Sequence, residues 1–318
     1  MESCISRFSL PEILNSTTPF GMRLTLTFTP QRPNQKLGFQ YTYPLAAWIY
    51  SRLQAADEAY ALFLHESGYQ SISSSKRFKH FTFSGLHIPH KAKPIQRGDS
   101  VIHLTKEACF LTVSFFVDKA AQDFILGVFA NQSVRLYDQT FQADFDITFV
   151  EALPTPDFGA QRLYFEARTP MVIARKQENG NDLYLPPDHP DFEAFFVKNL
   201  LSKYESIMQK ALPFDDASAM QLVGFQVEDL SQMKSKLTTV KQQTGSQTQV
   251  RGFERFVFSL HAPQDIAAVG YWGGFGKYCA AAGMGFCELL SPKTQLRCTS
   301  ANLDSSWITA MSSLRLDW

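Results

Sequence analysis

The order of strand-like and helix-like periods constrains the fold of this chain more than any other sequence feature. Apolar and polar residues alternate from Met22 to Pro30, and helical spacing follows at 44–53 and 56–68. A strand pattern at 78–86 precedes another at 109–117, and an amphipathic helix pattern runs from Asp118 to Asn131 before further strand patterns. The succession strand, helix, strand, strand, helix, strand predicts a split βαβ, or ferredoxin-like, unit.

The second half of the chain repeats this order more loosely. Two strand patterns join near Pro170, a turn signal follows at 178–182, and a long amphipathic helix pattern runs over 191–208. A short segment at 263–274 precedes a glycine-rich stretch, and the other strand patterns lie at 162–176, 220–230, 236–243, 253–261 and 286–290. These patterns predict an α+β protein of two tandem ferredoxin-like (RRM-like) domains with a C-terminal glycine-rich loop.

The predicted domain limits follow from this repetition. The two domains meet near Pro154–Pro156, where proline interrupts the strand pattern. Residues at both ends of the sequence show no partner elements and are predicted to lie outside the domains. The predicted organisation is a leader at 1–21, domains at 22–154 and 155–291, and a tail at 292–318.

Cysteine usage and hydropathy indicate the cellular compartment. The chain contains five cysteines, none of them in a CxxC pair, so we expect neither a disulfide framework nor a zinc ribbon. No apolar run reaches the roughly 18 residues that a membrane span requires. The first 21 residues also lack the features of a signal peptide. These features predict a cytoplasmic protein that contacts no membrane and uses no cofactor or metal.

Charge is balanced over the whole chain but uneven along it. There are 30 basic and 30 acidic residues, so a nucleic-acid site must be a local patch. Two stretches, 67–98 and 231–253, contain lysines and arginines but no Asp or Glu. Two such stretches in a neutral protein favour a polyanionic partner over the alternative, a pair of solvated basic loops.

The glycine-rich stretch comprises Gly273–Lys277 and Gly283–Phe286. It is neither a dinucleotide fingerprint, which would need glycine at Cys279, nor a P-loop, which would need glycine at Tyr271. The four glycines of its two GxG pairs have no Cβ atom, so they can adopt positive φ and let backbone N–H groups approach a phosphate chain. A tight turn between a helix and the last strand is the equally weighted alternative.

The chain resembles the CRISPR precursor-RNA endoribonucleases of the repeat-associated RNA-processing superfamily, over roughly 22–290. The GxG pairs near the end of a double ferredoxin-like protein are the hallmark of that superfamily. The order and spacing of several segments carry the resemblance further: Tyr43–Leu45 and Trp48–Tyr50, Leu64–Tyr69, Phe78–Ser84, Thr169–Val172, Tyr184–Leu185 and Asn199–Leu200. The chain departs from the family pattern in two places. Six residues, and not the usual five or so, separate Gly276 from Gly283, and the tail at 292–318 has no counterpart.

The resemblance implies metal-independent cleavage of RNA, in which the ribose 2′-OH attacks the adjacent phosphorus. His65 matches the family's catalytic histidine, and an imidazole exchanges protons near neutral pH. Tyr50 matches a position often held by a catalytic tyrosine, and Lys79 matches the lysine that stabilises the transition state. Lys76 lies close enough in sequence to be the alternative to Lys79. The implied products are 5′-OH and 2′,3′-cyclic phosphate ends and mature guide RNAs.

The same resemblance implies CRISPR repeat RNA, single-stranded or hairpin, as the partner. Other CRISPR effector subunits and a second copy in a homodimer are further implied partners. We expect RNA contacts from Lys76, Arg77, Lys91, Lys93, Lys234, Lys236, Arg251, Arg255, Gly274, Gly276, Lys277, Gly283 and Gly285. The alternatives are an inactive RNA-binding subunit and an unrelated ferredoxin-like scaffold. A metal pair at His87 and His90 is disfavoured because no further ligand cluster lies nearby.

Overall fold

A computed structural model describes residues 21–159, 161–209, 222–240 and 248–291. The predicted tail at 292–318 lies outside the described residues, as does the predicted leader except for Gly21. The end of the predicted strand at 236–243 and the beginning of that at 220–230 lie outside them as well. No helix among the described residues is long and apolar enough to cross a membrane.

The first half of the chain folds around one five-stranded antiparallel sheet. In chain order its elements are β1 (Met22–Pro30), β2 (Lys36–Gly38), α1 (Thr42–Ala56), α2 (Glu58–Glu66), β3 (Tyr69–Gln70), β4 (Arg77–Phe78), β5 (Phe81–Phe83), β6 (Val101–His103), β7 (Cys109–Phe115), α3 (Asp118–Ala130), β8 (Ser133–Tyr137) and β9 (Gln142–Ala152). The sheet order is β5–β7–β1–β9–β8, which leaves β8 as an edge strand.

The second half folds around a four-stranded antiparallel sheet in the order β13–β16–β10–β17. Its elements are β10 (Leu163–Ala167), β11 (Ala174–Lys176), β12 (Asp182–Tyr184), α4 (Phe192–Met208), β13 (Gly224–Asp229), β14 (Lys234–Val240), β15 (Thr248–Glu254), β16 (Val257–His261), α5 (Gln264–Gly273), α6 (Cys279–Ala282) and β17 (Cys287–Leu289). Strands β14 and β15 form a separate hairpin, and Phe253 of β15 also bridges to Met171.

Both sheets have the ferredoxin-like strand order. In the first sheet, the neighbouring strands β9, β1, β7 and β5 are the fourth, first, third and second strands of a ferredoxin-like unit. Strands β17, β10, β16 and β13 have the same order in the second sheet. The predicted fold class, two tandem ferredoxin-like domains, is therefore confirmed. Strand β9 ends at Ala152 and β10 begins at Leu163. We propose that the domain boundary lies in this connection, where the sequence places it.

The core of the first domain explains why β1 and α1 form where they do. Leu24, Leu26 and Phe28 alternate along β1 and are almost fully buried, as a half-buried strand requires. Trp48 of α1 packs edge-on against Phe28 with ring centroids 5.4 Å apart. It also packs against Phe124 of α3 at 5.7 Å. Burial of each such side chain stabilises the domain by about 1.5–3 kcal/mol.

Two predicted strands are wrong as single elements. The pattern at 78–86 is interrupted at His80, whose φ of 51° leaves the β region, so that β4 and β5 are separate. The pattern at 253–261 is interrupted in the same way at Arg255, with φ of 61°. The segment at 263–274 contains helix α5, which brings the glycine-rich stretch against both sheets.

A buried arginine joins the two domains. Arg23 of β1 is only 2% exposed, and its Nη2 donates to the carbonyl oxygens of Tyr271 (2.7 Å) and Cys287 (2.8 Å). Its Nε donates to Ser114 Oγ, and its guanidinium lies 3.5 Å from the centre of the Tyr271 ring. Burial lowers the pKa of Arg23 to about 10. The first strand of one domain is thus held by helix α5 and the last strand of the other.

Candidate active site and nucleic-acid interface

Tyr50, His65 and Lys79 lie together on one side of the first domain. The rings of Tyr50 and His65 are nearly perpendicular, with centroids 5.7 Å apart. Lys79 Nζ donates a hydrogen bond of 2.7 Å to the backbone oxygen of His65 and lies 5.2 Å from the centre of the Tyr50 ring. Three residues separated by up to 29 positions in sequence therefore form one cluster, which we call the HYK cluster.

Local structure places His65 at the exposed end of α2. The carboxylate of Asp57 caps the helix by accepting from the backbone N–H of Tyr60 at 2.9 Å. The helix ends at Glu66, and Gly68 follows with φ of 62°. A Cβ atom at Gly68 would lie 2.6 Å from the Phe78 backbone oxygen, so glycine permits the close approach that brings Lys79 to His65.

The HYK cluster borders a cleft of about 160 Å³. Helix α1 contributes Tyr50 and Gln54, and α2 contributes the rest of the lining, Glu58, Ala61, Leu62 and His65. His65 is exposed to solvent, whereas Tyr50 is half-buried. An imidazole at the open mouth of a cleft can exchange protons with a bound group, which is the requirement for general acid–base catalysis.

The Tyr50 hydroxyl is buried and has no hydrogen-bond partner among the described residues. Burial raises the pKa of Tyr50 above its ordinary value, so the hydroxyl keeps its proton at neutral pH. An unpaired buried hydroxyl costs about 1–3 kcal/mol. A substrate oxygen that accepted this proton in a hydrogen bond would remove that cost.

Burial also lowers the pKa of Lys79, to about 8. At pH 7 its ammonium is still largely protonated, so Lys79 supplies positive charge next to His65. The other lysine candidate has different surroundings. Burial lowers the pKa of Lys76, and the charges of Lys198 and Lys277 lower it further. The structure therefore places Lys79, and not Lys76, in contact with His65.

Lys76, Lys198 and Lys277 form an interdomain basic cluster. Lys76 lies in the turn between β3 and β4, Lys198 lies on α4, and Lys277 lies in the glycine-rich stretch. Lys277 Nζ is 3.4 Å from Asp182 Oδ2, which only partly offsets the local positive charge. Lys198 was not among the predicted RNA contacts because its place in a long amphipathic helix gave no signal. The cluster therefore places positive charge that can bind a phosphate group where the two domains meet.

The remaining basic candidates of the first domain lie in exposed segments. Arg77 is exposed on β4, and Lys93 lies in the loop between β5 and β6. Lys91 Nζ donates to the backbone oxygen of Ile88 at 3.3 Å. His87 packs against Phe110, and His90 pairs with Glu107 at 3.1 Å. Across the described ranges, no group of three or more His, Cys, Asp or Glu residues could hold a metal ion.

The β14–β15 hairpin carries the basic candidates of the second domain. Lys234 and Lys236 are two residues apart on β14 and so project from the same face, opposite Glu254 and Gly252. Arg251 Nη1 donates to Ser235 Oγ at 2.9 Å. Three of the basic candidates, Lys234, Lys236 and Arg251, are exposed, as is Arg255 at the end of β15.

The four glycines of the predicted phosphate loop are buried between the domains. Gly274, Gly276, Gly283 and Gly285 have φ between 64° and 81°. A Cβ atom at Gly285 would lie 1.7 Å from the Phe275 oxygen, and one at Gly276 would lie 2.6 Å from the Val172 oxygen. The Gly283 and Gly285 amides donate to the Cys279 and Pro170 oxygens. RNA contact by these glycines stays a prediction, and their observed neighbours are backbone and side-chain atoms of the chain itself.

A buried lysine lies beneath the glycine-rich stretch. Lys203 of α4 is 3% exposed, and its Nζ donates to the Gly274 oxygen and lies 3.3 Å from Cys279 Sγ. Its position seven residues after Phe196 puts it on the apolar face of the helix. A charged residue on an otherwise apolar helix face was the sequence signal that could have identified Lys203. Lys203 fixes the carbonyl of the loop rather than facing the cleft.

Comparison with known families adds an independent line of evidence. The family model described as "CRISPR associated protein Cas6, C-terminal" matches residues 153–289. The model described as "CRISPR-associated protein Cas6, N-terminal" matches residues 36–144. Together they span most of the chain and both of its sheets. No curated protein sequence matches the chain significantly.

Solved structures share the fold at low sequence identity. One, described as "Characterization of a Cas6-related gene from Pyrococcus furiosus", aligns with a TM-score of 0.67 at 21% identity and covers 86% of this chain and 99% of that one. Another, "CRISPR associated protein Cas6", has a TM-score of 0.63 at 22% identity over 85% and 100%. A third, "An RAMP protein binding different RNA substrates", has a TM-score of 0.66 at 19% identity over 85% and 100%.

Proposed function

Because the chain belongs to the Cas6 family of CRISPR-associated proteins, we propose that it is an endoribonuclease that cleaves CRISPR repeat RNA within a precursor transcript. The observation that carries this proposal is the HYK cluster, in which an imidazole and a protonated phenol line one cleft and an ammonium donates to the backbone of the histidine. These are the groups that phosphodiester cleavage requires when no metal takes part.

The proposed reaction is an internal transfer at one phosphate. The ribose 2′-oxygen forms a bond to phosphorus while the bond from phosphorus to the 5′-oxygen breaks. One proton leaves the 2′-OH and another reaches the departing 5′-oxygen, so the products are a 2′,3′-cyclic phosphate and a 5′-OH. No water is consumed and no oxidant or metal takes part in the proposed step.

The geometry supports a distinct role for each side chain of the HYK cluster. His65 is exposed at the mouth of the cleft and acts as the general acid or base. Lys79 carries positive charge that offsets the developing charge on the phosphorane-like transition state. Tyr50 keeps its proton and donates a hydrogen bond that orients a phosphate or ribose oxygen.

RNA binding is proposed to use charges on both domains. The interdomain basic cluster and the β14–β15 hairpin lie on different elements, so an RNA strand could contact the two domains at once. Affinity of this kind falls steeply with salt concentration because binding releases condensed counterions. Recognition would rest on RNA shape and on unpaired bases. Association with other CRISPR effector subunits, or with a second copy, also remains a proposal.

The test compares four reactions, each with labelled repeat RNA in EDTA. These are the wild type, His65→Ala, His261→Ala as an exposed-histidine control, and wild type with RNA carrying a 2′-deoxy residue at the cut position. We expect wild type and His261→Ala to cut at one position, and the deoxy RNA to stay intact. His65→Ala should cut about 10²–10⁴-fold more slowly while binding RNA as tightly.

Each of the other possible outcomes contradicts one part of the proposal. Tight RNA binding without cleavage by the wild type would contradict the nuclease and leave an RNA-binding subunit. Cleavage of the deoxy RNA would exclude attack by the 2′-OH. Full activity of His65→Ala would refute its catalytic role without affecting the family.

A further inference from the structure

A second cavity, of about 780 Å³, adjoins the candidate active site along helix α1. It lies between α1 and the edge strand β8, and its volume falls in the range of small-molecule sites. No residue of the HYK cluster lines it. We call it the α1–β8 cavity. The lining residues used below are Tyr43, Trp48, Arg52, Arg135, Tyr137 and Asp138.

Two exposed tyrosines border the α1–β8 cavity. Tyr43 is 40% exposed and Tyr137 is 62% exposed, so both rings present accessible surface beside the cavity. Trp48 lines the cavity from beneath and is buried against Phe28 and Phe124. Proteins that bind single-stranded RNA stack unpaired bases on aromatic side chains of this kind.

The cavity is lined by two arginines and two aspartates, and Arg52 is the arginine available to an anion because Arg135 is paired with Asp144. Arg52 Nη1 donates to the Asn131 backbone oxygen at 2.8 Å, and its Nε donates to Ser51 Oγ at 3.3 Å. Within the described ranges, no carboxylate lies at ion-pair distance from Arg52. The two carboxylates that line the cavity already have partners. Asp144 pairs with Arg135 at 2.8 Å, and Asp138 accepts hydrogen bonds from backbone N–H groups at 2.6 and 3.0 Å.

Helix α1 sets the spacing between this cavity and the HYK cluster. Tyr43 and Tyr50 are seven residues apart and therefore lie on the same face of the helix, about 10.5 Å from each other along its axis. A stacked strand advances about 3.4 Å per nucleotide, so two to three nucleotides bridge that length. One strand can thus occupy the cleft and the cavity together.

We propose that the α1–β8 cavity binds one unpaired nucleotide of the repeat RNA, two to three positions from the cleaved phosphate. Its base stacks on Tyr43 or Tyr137, and its phosphate pairs with Arg52. The assignment to repeat RNA rests on the proposed function, whereas the assignment to a nucleotide rests on the aromatic and cationic lining. The cavity therefore adds a position-specific contact to the general attraction of the basic clusters.

Crosslinking locates the nucleotide without any need for cleavage. Repeat RNAs carry a 2′-deoxy residue at the cut position and 4-thiouridine at one further position, which is moved along the strand. After irradiation of each complex with the wild-type protein, mass spectrometry identifies the crosslinked residue. We expect adducts at Tyr43 or Tyr137 from positions two or three nucleotides from the cut. Adducts that occur only elsewhere on the protein, at every position, would overturn the proposal.

Two variants measure the contribution of the cavity to binding. Tyr137→Ala removes an exposed ring, and Arg52→Ala removes the cation; each should raise the Kd for the deoxy RNA about tenfold, since stacking and charge contacts are of that size. Tyr137→Phe keeps the ring and should bind within about twofold of wild type. Arg162→Ala is the charge control, because Arg162 is exposed on the other domain beside Gln226 and Glu228.

The outcomes separate this proposal from the nuclease. Arg52 also holds the end of α3 through Asn131, so its variant needs a melting curve; Tyr137→Ala tests the cavity without that contact. If both variants bind like wild type while the wild type cleaves, the cavity proposal fails and the nuclease stands. If the variants bind weakly while the wild type never cleaves, the nuclease fails and the cavity proposal stands.

Discussion

Lys79 is the residue of the HYK cluster whose charge depends most on its surroundings. It is half-buried between His65 and Tyr50, and this burial brings its pKa to about 8. A lysine with the usual pKa near 10.4 would stay protonated throughout the neutral range. The proposed role of Lys79 requires the ammonium form, so the rate becomes sensitive to pH just above neutrality.

We predict that the cleavage rate of the wild type falls as pH rises above about 8. The ammonium is the protonated form, and a lowered pKa means that the charge is lost at a lower pH than for a free lysine. Lys79→Arg keeps a positive charge and should extend the plateau towards about pH 10. Single-turnover rates from about pH 6 to about pH 10 measure both profiles. Identical alkaline limbs would show that another group controls the decline.

The residues of the HYK cluster illustrate what sequence can and cannot predict at this scale. The resemblance pointed to Tyr50, His65 and Lys79, but periodicity could not predict that their side chains meet. Their contact depends on the turn at Gly68, where φ is positive and the backbone approaches Phe78 closely. Gln54 and Glu58 line the same cleft and were missed, because exposed polar residues on helices give no signal of their own.

Among the elements, the glycine-rich stretch shows that positive φ and close packing are separate requirements. Gly285 has φ of 67°, and an added Cβ atom would meet the Phe275 backbone at 1.7 Å. Gly180, in the turn between β11 and β12, has φ of 81° but open space around it. The two glycines therefore share the backbone conformation and differ only in their neighbours.

We predict that Gly285→Ala destabilises the protein more than Gly180→Ala. A left-handed conformation costs a non-glycine residue about 1–2 kcal/mol, which is the whole cost at Gly180. At Gly285 overpacking adds about 1–3 kcal/mol. Urea denaturation of the two variants measures the difference. Equal losses would mean that the loop at Gly285 can move aside.

The β14–β15 hairpin supplies a prediction about RNA affinity. Lys234 and Lys236 project from one exposed face of β14. If each contacts a phosphate, Lys234→Ala or Lys236→Ala should weaken binding to any RNA sequence and reduce the salt slope of log K by about one. Titrations of repeat RNA at several salt concentrations give the slope. Arg162→Ala is again the control, and an unchanged slope in the lysine variants would place the RNA away from the hairpin.

The elements were predicted in the correct order, but their breaks were not. The patterns at 78–86 and 253–261 predicted single strands, although two consecutive polar residues interrupt the alternation at Lys79–His80 and at Glu254–Arg255. That shift in phase was the sequence signal for each break, but it does not identify which residue adopts positive φ. The break at His80 separates β4, which pairs with β3, from β5 in the main sheet. The break at Arg255 likewise separates β15 of the hairpin from β16 of the second sheet.

At the scale of the whole molecule, His80 connects the two domains. Its ring is 3% exposed, and Nε2 shares a hydrogen bond of 2.8 Å with Ser206 Oγ on α4. Tyr69 and Phe116 pack around it. Burial lowers the pKa of His80 to about 3, and the nearby charge of Lys203 acts in the same direction. The neutral imidazole is therefore part of the folded interface.

We predict that His80 makes the protein less stable as pH falls below about 6.5. The pKa in the folded protein lies below the unfolded value, so the unfolded chain binds the proton more tightly. The stability is fully present above about pH 6.5 and decreases by about 1.4 kcal/mol per pH unit towards pH 3. Asparagine tolerates positive φ, so His80→Asn is the matched variant. Urea denaturation at several pH values should show a steeper loss for wild type, and equal slopes would contradict the prediction.

The two-domain architecture was predictable as a whole, whereas the joint between the domains was not. Hydrophobic periods specify each sheet with its helices, since they report the faces that are buried. The joint uses Arg23 and His80, polar residues of a type usually found at the surface. Their burial follows from partners contributed by the other domain, and no local pattern contains that information.

Arg23 also constrains the order of events during synthesis. Its guanidinium is enclosed by the carbonyl groups of Tyr271 and Cys287, which follow it by 248 and 264 residues. A ribosome adding about 5–20 residues per second needs about 12–50 s to cover that distance. Throughout this interval the first strand can pair within its own sheet, and Arg23 can reach Ser114 but lacks the two carbonyl partners of its Nη2. The interdomain contact of the nascent chain therefore stays incomplete until α5 and the last strand emerge.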